Sequence, residues 1–416
     1  MNQILCIALA LLAGLLSSRL MKVLRLPNVT GYLIAGIIFG PYVLGKYIGG
    51  WSTTNPETSL NAVKWISEIA LGFIAFTIGC SFKKQAIQKV GKRVIAITLF
   101  EALGGAIVTI GGLLIAHIFL GDKLPISLIL TFGAIACATA PAATLMVIRQ
   151  YKAKGPVVDT LIPVVAFDDA VALIAFAILF SISKSLSNNT ALSVMDILVW
   201  PLVEIITSLV LGAALGFAVS FGFKLFKSRA NRSILIITSV LVVIGLSGLA
   251  NSYGWKVNIS SLLACMMIGA IFINFRDDAG RTLERVDGIT PPLYMLFFVI
   301  SGASLDITIF ASDGALILVI VALIYVVFRC IGKWAGAYFG SKAMHSEPTV
   351  QKYLGYTLFP QAGVAIGLAT TANQAFLDPQ LASMVLAVVL TATIIYELVG
   401  PVITKIALKR AGEISE

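Results

Sequence analysis

Runs of apolar residues long enough to be membrane helices follow one another along the whole chain, separated by short loops. A helix needs about 20 residues to cross the hydrocarbon core, and by that measure there are about 13 candidates. Their approximate limits are 2–20, 28–45, 62–80, 94–118, 126–148, 157–182, 196–222, 232–250, 257–274, 290–305, 314–339, 353–372 and 381–404. The pattern predicts an all-α polytopic membrane protein, a single integral unit over 1–416 with no room for a soluble domain. Composition agrees: only 12% of residues are charged, against about a quarter in soluble domains. The first run, ILCIALALLAGLLSS, lacks a basic stretch before it and a small-x-small cleavage site, so it reads as a helix and not a removable signal.

The net charge of +10 sits in short loops and forms no stripe, which excludes nucleic acid as a partner and points to the lipid membrane. Loops on one side collect Lys83, Lys84, Lys89, Lys92 and Arg93, then Arg149, Lys152 and Lys154, then Lys224, Lys227, Arg229 and Arg232, then Arg276, Arg281 and Arg285. The other side has little beyond Lys46, Lys64, Lys123, Lys184 and Lys256. The positive-inside rule places the first set in the cytoplasm. With an odd number of spans, the N-terminus lies outside and the C-terminus inside. Five cysteines, Cys6, Cys80, Cys137, Cys265 and Cys330, lie in or at the ends of apolar runs without metal-ligand spacing. They read as small buried hydrophobes, and no cofactor is expected.

A faint internal repeat is present. Aligning YLIAGIIFG (32–40) with SLLACMMIGAIF (261–272) superposes Ala35 on Ala264 and Gly40 on Gly269. By the loop charges these two helices run in opposite directions, the pattern of an inverted-repeat transporter. Two spans also carry an interruption. CATAPAATLMVI places Ala140 and Pro141 beside Thr139, and LFPQAGVAIGLATT sets Pro360 and Gln361 in mid-run. Proline removes a backbone donor and clashes with the preceding turn, so each helix is expected to break or kink there. Paired broken helices in the two halves point to an ion site near the midplane, whereas a simple kink would be satisfied by its neighbours.

Asp168 and Asp169 head an otherwise apolar run, AFDDAVALIAFAILF. Each costs about 2.5–3.5 kcal/mol at a helix centre on insertion scales. Successive helical residues point about 100° apart, so one carboxylate can face a wet cavity while the other meets a partner. The alternative puts both at the membrane surface as a helix cap, near Pro163. Arg329 and Lys333 lie four residues apart on one face of the eleventh run. They read as partners for the acids or as interfacial anchors. Glu68, Glu101, Glu204 and Glu397 each lie singly in or near a run, any of them able to line a water path or pair with Arg329.

These residues resemble a known family. LPNVTGYLIAGIIFGPYVLG, TAPAAT, the paired aspartates, RCIGK and LYMLFFVISGASLDI are similar to segments of monovalent cation/proton antiporters, in the Kef-type branch that includes NapA-type sodium/proton exchangers. The resemblance covers nearly the whole chain and implies the NhaA-like fold: inverted repeats with two crossing discontinuous helices. It also implies a homodimer in a bacterial inner membrane, with a dimerisation part at about 1–80 and 232–305, a linker helix at about 196–222, and a mobile core at about 94–182 and 314–404. By the same resemblance Asp169 matches the carboxylate that carries ion and proton, and Asp168 the acid paired with a buried lysine, here Lys333. Thr139, Ala140 and Pro141 match the crossing. Two departures stand out. Kef-type relatives carry glutamate where this chain has Ser81, and potassium-efflux members continue into a nucleotide-binding domain, so gating through such a domain is not expected.

The expected activity is exchange of a monovalent cation, Na⁺ first and K⁺ or Li⁺ as alternatives, for protons, with no enzymatic chemistry. Asp169 and Asp168 would hold the metal ion, and carbonyls and hydroxyls near Pro141, Thr139 among them, would complete the oxygen shell. Lys333 and Arg329 would compensate charge. Release of a proton by Lys333 as the cation arrives would make transport electrogenic. A cation channel or a sodium-coupled solute symporter is the competing class.

Overall fold

The computed structural model describes residues 3–24, 28–48, 51, 60–80, 82, 84, 91–140, 144–145, 147–148, 151–187, 199–252, 259–276, 279–305, 315–376 and 378–414. Most of these residues are helical, and none of them is in a strand. In chain order the main helices are α1 (Gln3–Leu24), α2 (Asn28–Phe39), α3 (Lys64–Cys80), α4 (Lys92–Leu120), α5 (Ile126–Ala136), α6 (Pro156–Ser187), α7 (Trp200–Leu225) and α8 (Arg229–Ser252). They continue as α9 (Ser261–Phe275), α10 (Ala279–Ile289), α11 (Pro291–Ala303), α12 (Ala315–Ala343), α13 (Pro348–Tyr353), α14 (Gly363–Ala375) and α15 (Pro379–Arg410). Among the described residues, seven helices are long and apolar enough to cross a bilayer. Large apolar side chains such as Ile107, Ile118, Phe119, Phe221 and Leu316 are exposed on their outer faces. In water such surfaces would be costly, and in lipid they are the contact layer.

Both interrupted runs are discontinuous. α5 ends at Ala136, residues 137–140 are non-helical, and helix resumes at 144–145 and 147–148. Pro141 lies outside the described residues. In the twelfth run α13 passes into a 3₁₀ segment, Leu354–Leu358, residues 359–362 are non-helical, and α14 follows. The loop expected to hold Arg281 and Arg285 contains the short helix α10 instead, with Thr282 and Val286 turned inward one helical turn apart.

The packing is two-fold in pattern. α2 lies against α11, and α9 lies against α3. In each pair the backbones nearly touch at glycine. A Cβ at Gly36 would strike the Val299 carbonyl and one at Gly302 the Leu33 carbonyl. In the other pair, one at Gly269 would strike the Phe76 carbonyl and one at Gly79 the Met266 carbonyl. α1 flanks the first pair and α8 the second. The correspondence of α2 with α9 inferred from Ala35/Ala264 and Gly40/Gly269 therefore has a packing counterpart. α7 lies mainly on α9, while α4, α5, α6, α12, α14 and α15 pack chiefly on one another.

The contact of α4 with α12 is also made through glycine. A Cβ at Gly104 would lie 2.8 Å from the Gly332 carbonyl oxygen, and one at Gly336 would strike the Phe100 carbonyl. Without side chains between them, the two helices bring neighbouring residues into direct reach. Gly336→Val is expected to force them apart at about 1–3 kcal/mol, the usual cost of overpacking. A thermal melt of the purified protein checks this: the midpoint falls for Gly336→Val and stays near wild type for Gly111→Val, where the added atoms meet open space.

Candidate ion site

The two helix breaks face each other. The Ala140 N–H donates to the Pro360 carbonyl at 2.9 Å, which joins the two non-helical segments directly. Gln361 Nε2 donates to the Ile135 carbonyl at 2.9 Å, and Tyr325 Oη donates to Gln361 Oε1 at 3.0 Å. Thr144 Oγ1 donates to the Thr357 carbonyl at 3.0 Å. Ala140, Pro360 and Gln361 are all buried.

A helix end leaves carbonyls without partners, and in an apolar interior each costs free energy. Arg329 meets this need. Its guanidinium donates to the carbonyls of Ala136 (3.2 Å), Ala138 (2.6 Å) and Phe359 (2.7 Å), so one side chain holds the ends of both broken helices. Its cationic carbon stands 4.7 Å from the centre of the Tyr396 ring. Arg329 thus sits among carbonyls and an aromatic face, forming no ion pair within 4 Å among the described residues. The expectation that it pairs with an acid is corrected: its charge balances the negative ends of two helices.

Lys333 is one turn further along α12 and fully buried. Its ammonium donates to Glu101 Oε2 at 2.7 Å, to Asp168 Oδ1 and Oδ2 at 3.2 and 3.3 Å, and to the Cys137 carbonyl. The lysine therefore bridges α4, α6 and the end of α5. Sequence reasoning brought Asp168 and Lys333 together but left Glu101 as a possible partner of Arg329. The glycines flanking Glu101 and Lys333, Gly104 and Gly105 on one helix and Gly332 and Gly336 on the other, were the available signal.

Asp168 and Asp169 are buried, 12 and 13 residues beyond Pro156 at the start of α6. At 1.5 Å per residue that is about 18 Å along the helix. The alternative of a surface helix cap does not hold, and Pro163 lies inside the helix. The true cap of α6 comes from the far end of the chain. Glu413 accepts from the Val157 and Val158 N–H groups at 2.7 and 2.9 Å, and its carbonyl accepts from the Lys154 N–H at 3.0 Å. A carboxylate there suits the positive end of the helix.

Asp169 is 3% exposed, and its Oδ1 has no hydrogen-bond partner among the described residues. Thr139 Oγ1 and Glu101 Oε1 are likewise buried without one. Buried polar atoms are normally satisfied, and these three oxygens stand on the residues at and around the crossing and Lys333, which makes them candidate ligand positions. Of the other acids, Glu397 is buried on α15, Glu204 is half-buried on α7, and Glu68 is exposed on α3. None of the three reaches Arg329 or Lys333 within ion-pair distance.

Residues 7–406 match the family model described as sodium/hydrogen exchanger, transmembrane. The chain belongs to this family. Among similar proteins, Cation/H(+) antiporter 17 of Arabidopsis thaliana is 24% identical over 343 residues, covering 80% of this chain and 40% of that protein. The chain thus spans about two fifths of that relative's length. The Na(+)/H(+) antiporter NhaS4 of Synechocystis is 25% identical over 392 residues, covering 86% of this chain and 85% of that one. The sodium proton antiporter MjNhaP1 of Methanocaldococcus jannaschii, solved at pH 8, superposes with a TM-score of 0.72 at 17% identity. That alignment covers 98% of this chain and all of the other, which shows that the exchanger family fold is shared.

Replacing Arg329 tests the helix-end role. Arg329→Met leaves three buried carbonyls without a donor, at about 1–3 kcal/mol each. The expected result is a large fall in melting temperature, with Arg329→Lys intermediate because an ammonium lacks the planar fork. Melts of the purified variants check it.

Proposed function

We propose that the chain is a monovalent cation/proton antiporter in which Asp169 carries the cation and the proton in turn. The observation that carries this reading is a buried carboxyl without a partner, beside a cluster whose other charges are already committed. Lys333 is shared by Glu101 and Asp168, and Arg329 is committed to backbone carbonyls, so an ionised Asp169 has no cation within ion-pair distance among the described residues. Its negative charge is left to the transported ion. A single proton or a single monovalent cation neutralises it, and both together would leave a buried positive charge at high cost. The two ligands therefore exclude each other. Carbonyls near the crossing and the Thr139 hydroxyl would supply the neutral oxygens a dehydrated Na⁺ needs. K⁺ is the alternative, because the choice depends on the size of that shell. Family membership supports the exchange reading over a channel or a solute symporter.

Glu101 changes the expectation for charge movement. With Asp168 as its sole partner, Lys333 would release its proton when the cation drew Asp168 away, and transport would be electrogenic. With Glu101 at 2.7 Å it keeps a carboxylate throughout, which favours a retained ammonium and one-for-one, electroneutral exchange.

Alternating access would come from movement of the part at about 94–182 and 314–404 against the part at about 1–80 and 232–305. The linker would be α7. A homodimer in a bacterial inner membrane, N-terminus outside, completes the proposal.

Proteoliposomes with an internal pH dye give the tests. Adding Na⁺ to vesicles holding a preformed proton gradient should dissipate it without any organic solute, with K⁺ and Li⁺ compared in the same assay. Asp169→Asn should lower the rate to that of empty vesicles, and normal exchange by this variant would refute the carrier role. Clamping the membrane potential should leave the wild-type rate unchanged. A rate that follows the potential would restore the electrogenic reading.

A further inference from the structure

A cavity of about 380 Å³ lies between α13 with its following 3₁₀ segment and the C-terminal part of α15. Its walls are Tyr353, Tyr356, Phe359, Ile403, Ile406 and Ala407, and Lys352 and Arg410 also line it. None of these residues belongs to the charge cluster described above. The wall is apolar and partly open: Tyr356 and Ile406 are exposed, while Phe359 and Ala407 are buried. Neither Lys352 nor Arg410 forms an ion pair with a carboxylate among the described residues. Glu413, three residues from Arg410, is already taken by the α6 N-terminus. Lys352 stands 5.3 Å over the Tyr353 ring, and the neighbouring Lys405 stands 4.6 Å over Tyr151. Lys352 on α13 and Arg410 at the end of α15 therefore stand beside an open apolar wall with no carboxylate in ion-pair distance among the described residues.

We infer that this cavity binds an anionic phospholipid, with the headgroup phosphodiester between Lys352 and Arg410 and the upper acyl chain along Tyr356, Phe359, Ile403 and Ile406. The combination decides the ligand class. Two uncompensated cations favour a phosphate, and an aromatic and branched-aliphatic wall favours hydrocarbon over a free ion. The site also touches the transport machinery. Phe359 lines the cavity, and its carbonyl accepts from Arg329 at 2.7 Å. A lipid seated there packs directly on the segment that joins Pro360 to Ala140, so it steadies the crossing.

The test measures binding, which keeps it separate from the antiport reading. Purified, delipidated protein is titrated with dioctanoyl phosphatidylglycerol while its melting temperature is followed. Dioctanoyl phosphatidylcholine and inorganic phosphate serve as the zwitterionic lipid and the free anion. The anionic lipid should raise the melting temperature saturably, and the other two should do so little. Lys352→Gln with Arg410→Gln should keep the lipid-free melting temperature and weaken the apparent lipid affinity about thirtyfold, at roughly 1 kcal/mol per basic residue near a charged membrane surface. Ile403→Trp, which fills the wall and leaves both cations, should weaken it as well. An unchanged lipid response in the double variant overturns the site. An equal response to inorganic phosphate overturns the lipid assignment.

Discussion

Breaking two helices inside an apolar interior exposes backbone groups that lipid cannot satisfy, and the arrangement of the core follows from how that cost is met. Arg329 holds the carbonyls of Ala136, Ala138 and Phe359, Gln361 holds that of Ile135, and Ala140 and Pro360 hold each other. The result is a junction in which side-chain and backbone donors meet the exposed carbonyls of both breaks. Because the positive charge of Arg329 is spent on helix ends, it does not neutralise a nearby carboxylate. That leaves the acids of α4 and α6 to be balanced by Lys333 and by whatever the site binds.

The second requirement is proximity, and glycine supplies it. Where α4 and α12 cross, Gly104, Gly332 and Gly336 let the backbones approach closely enough for Glu101 to meet Lys333 directly. The same device recurs in the α2–α11 and α9–α3 pairs, so the two halves of the molecule repeat one way of packing. Glu413 adds a tie of another kind. It fastens the segment after α15 to the start of α6, the aspartate helix.

Much of this is legible in the sequence. The apolar runs gave the helices, the two Pro-containing segments marked the breaks, and Asp168 with Lys333 gave an ion pair. Those signals are local or carry a high energetic cost, so a single sequence displays them. Glu101 and Lys333, by contrast, are 232 residues apart, and their meeting depends on the rotational phase of two helices, which apolar composition does not encode. The partners of Arg329 go unmarked in the sequence for a related reason: they are carbonyls, which every residue has. Glu413 meets backbone N–H groups 256 and 255 residues earlier in the chain, a contact that no local pattern marks. α10 hid within a loop because its charged residues dominated the reading of loop sidedness.

The central claim is that one buried site is occupied either by a cation or by a proton. Proton release on cation binding measures this without transport. Purified protein in weak buffer, held at a pH where the carrier carboxyl is protonated, is mixed with saturating Na⁺ while a pH indicator is read. About one proton released per bound ion, lost in Asp169→Asn, is the result the account predicts. Na⁺ binding with no proton release would contradict it.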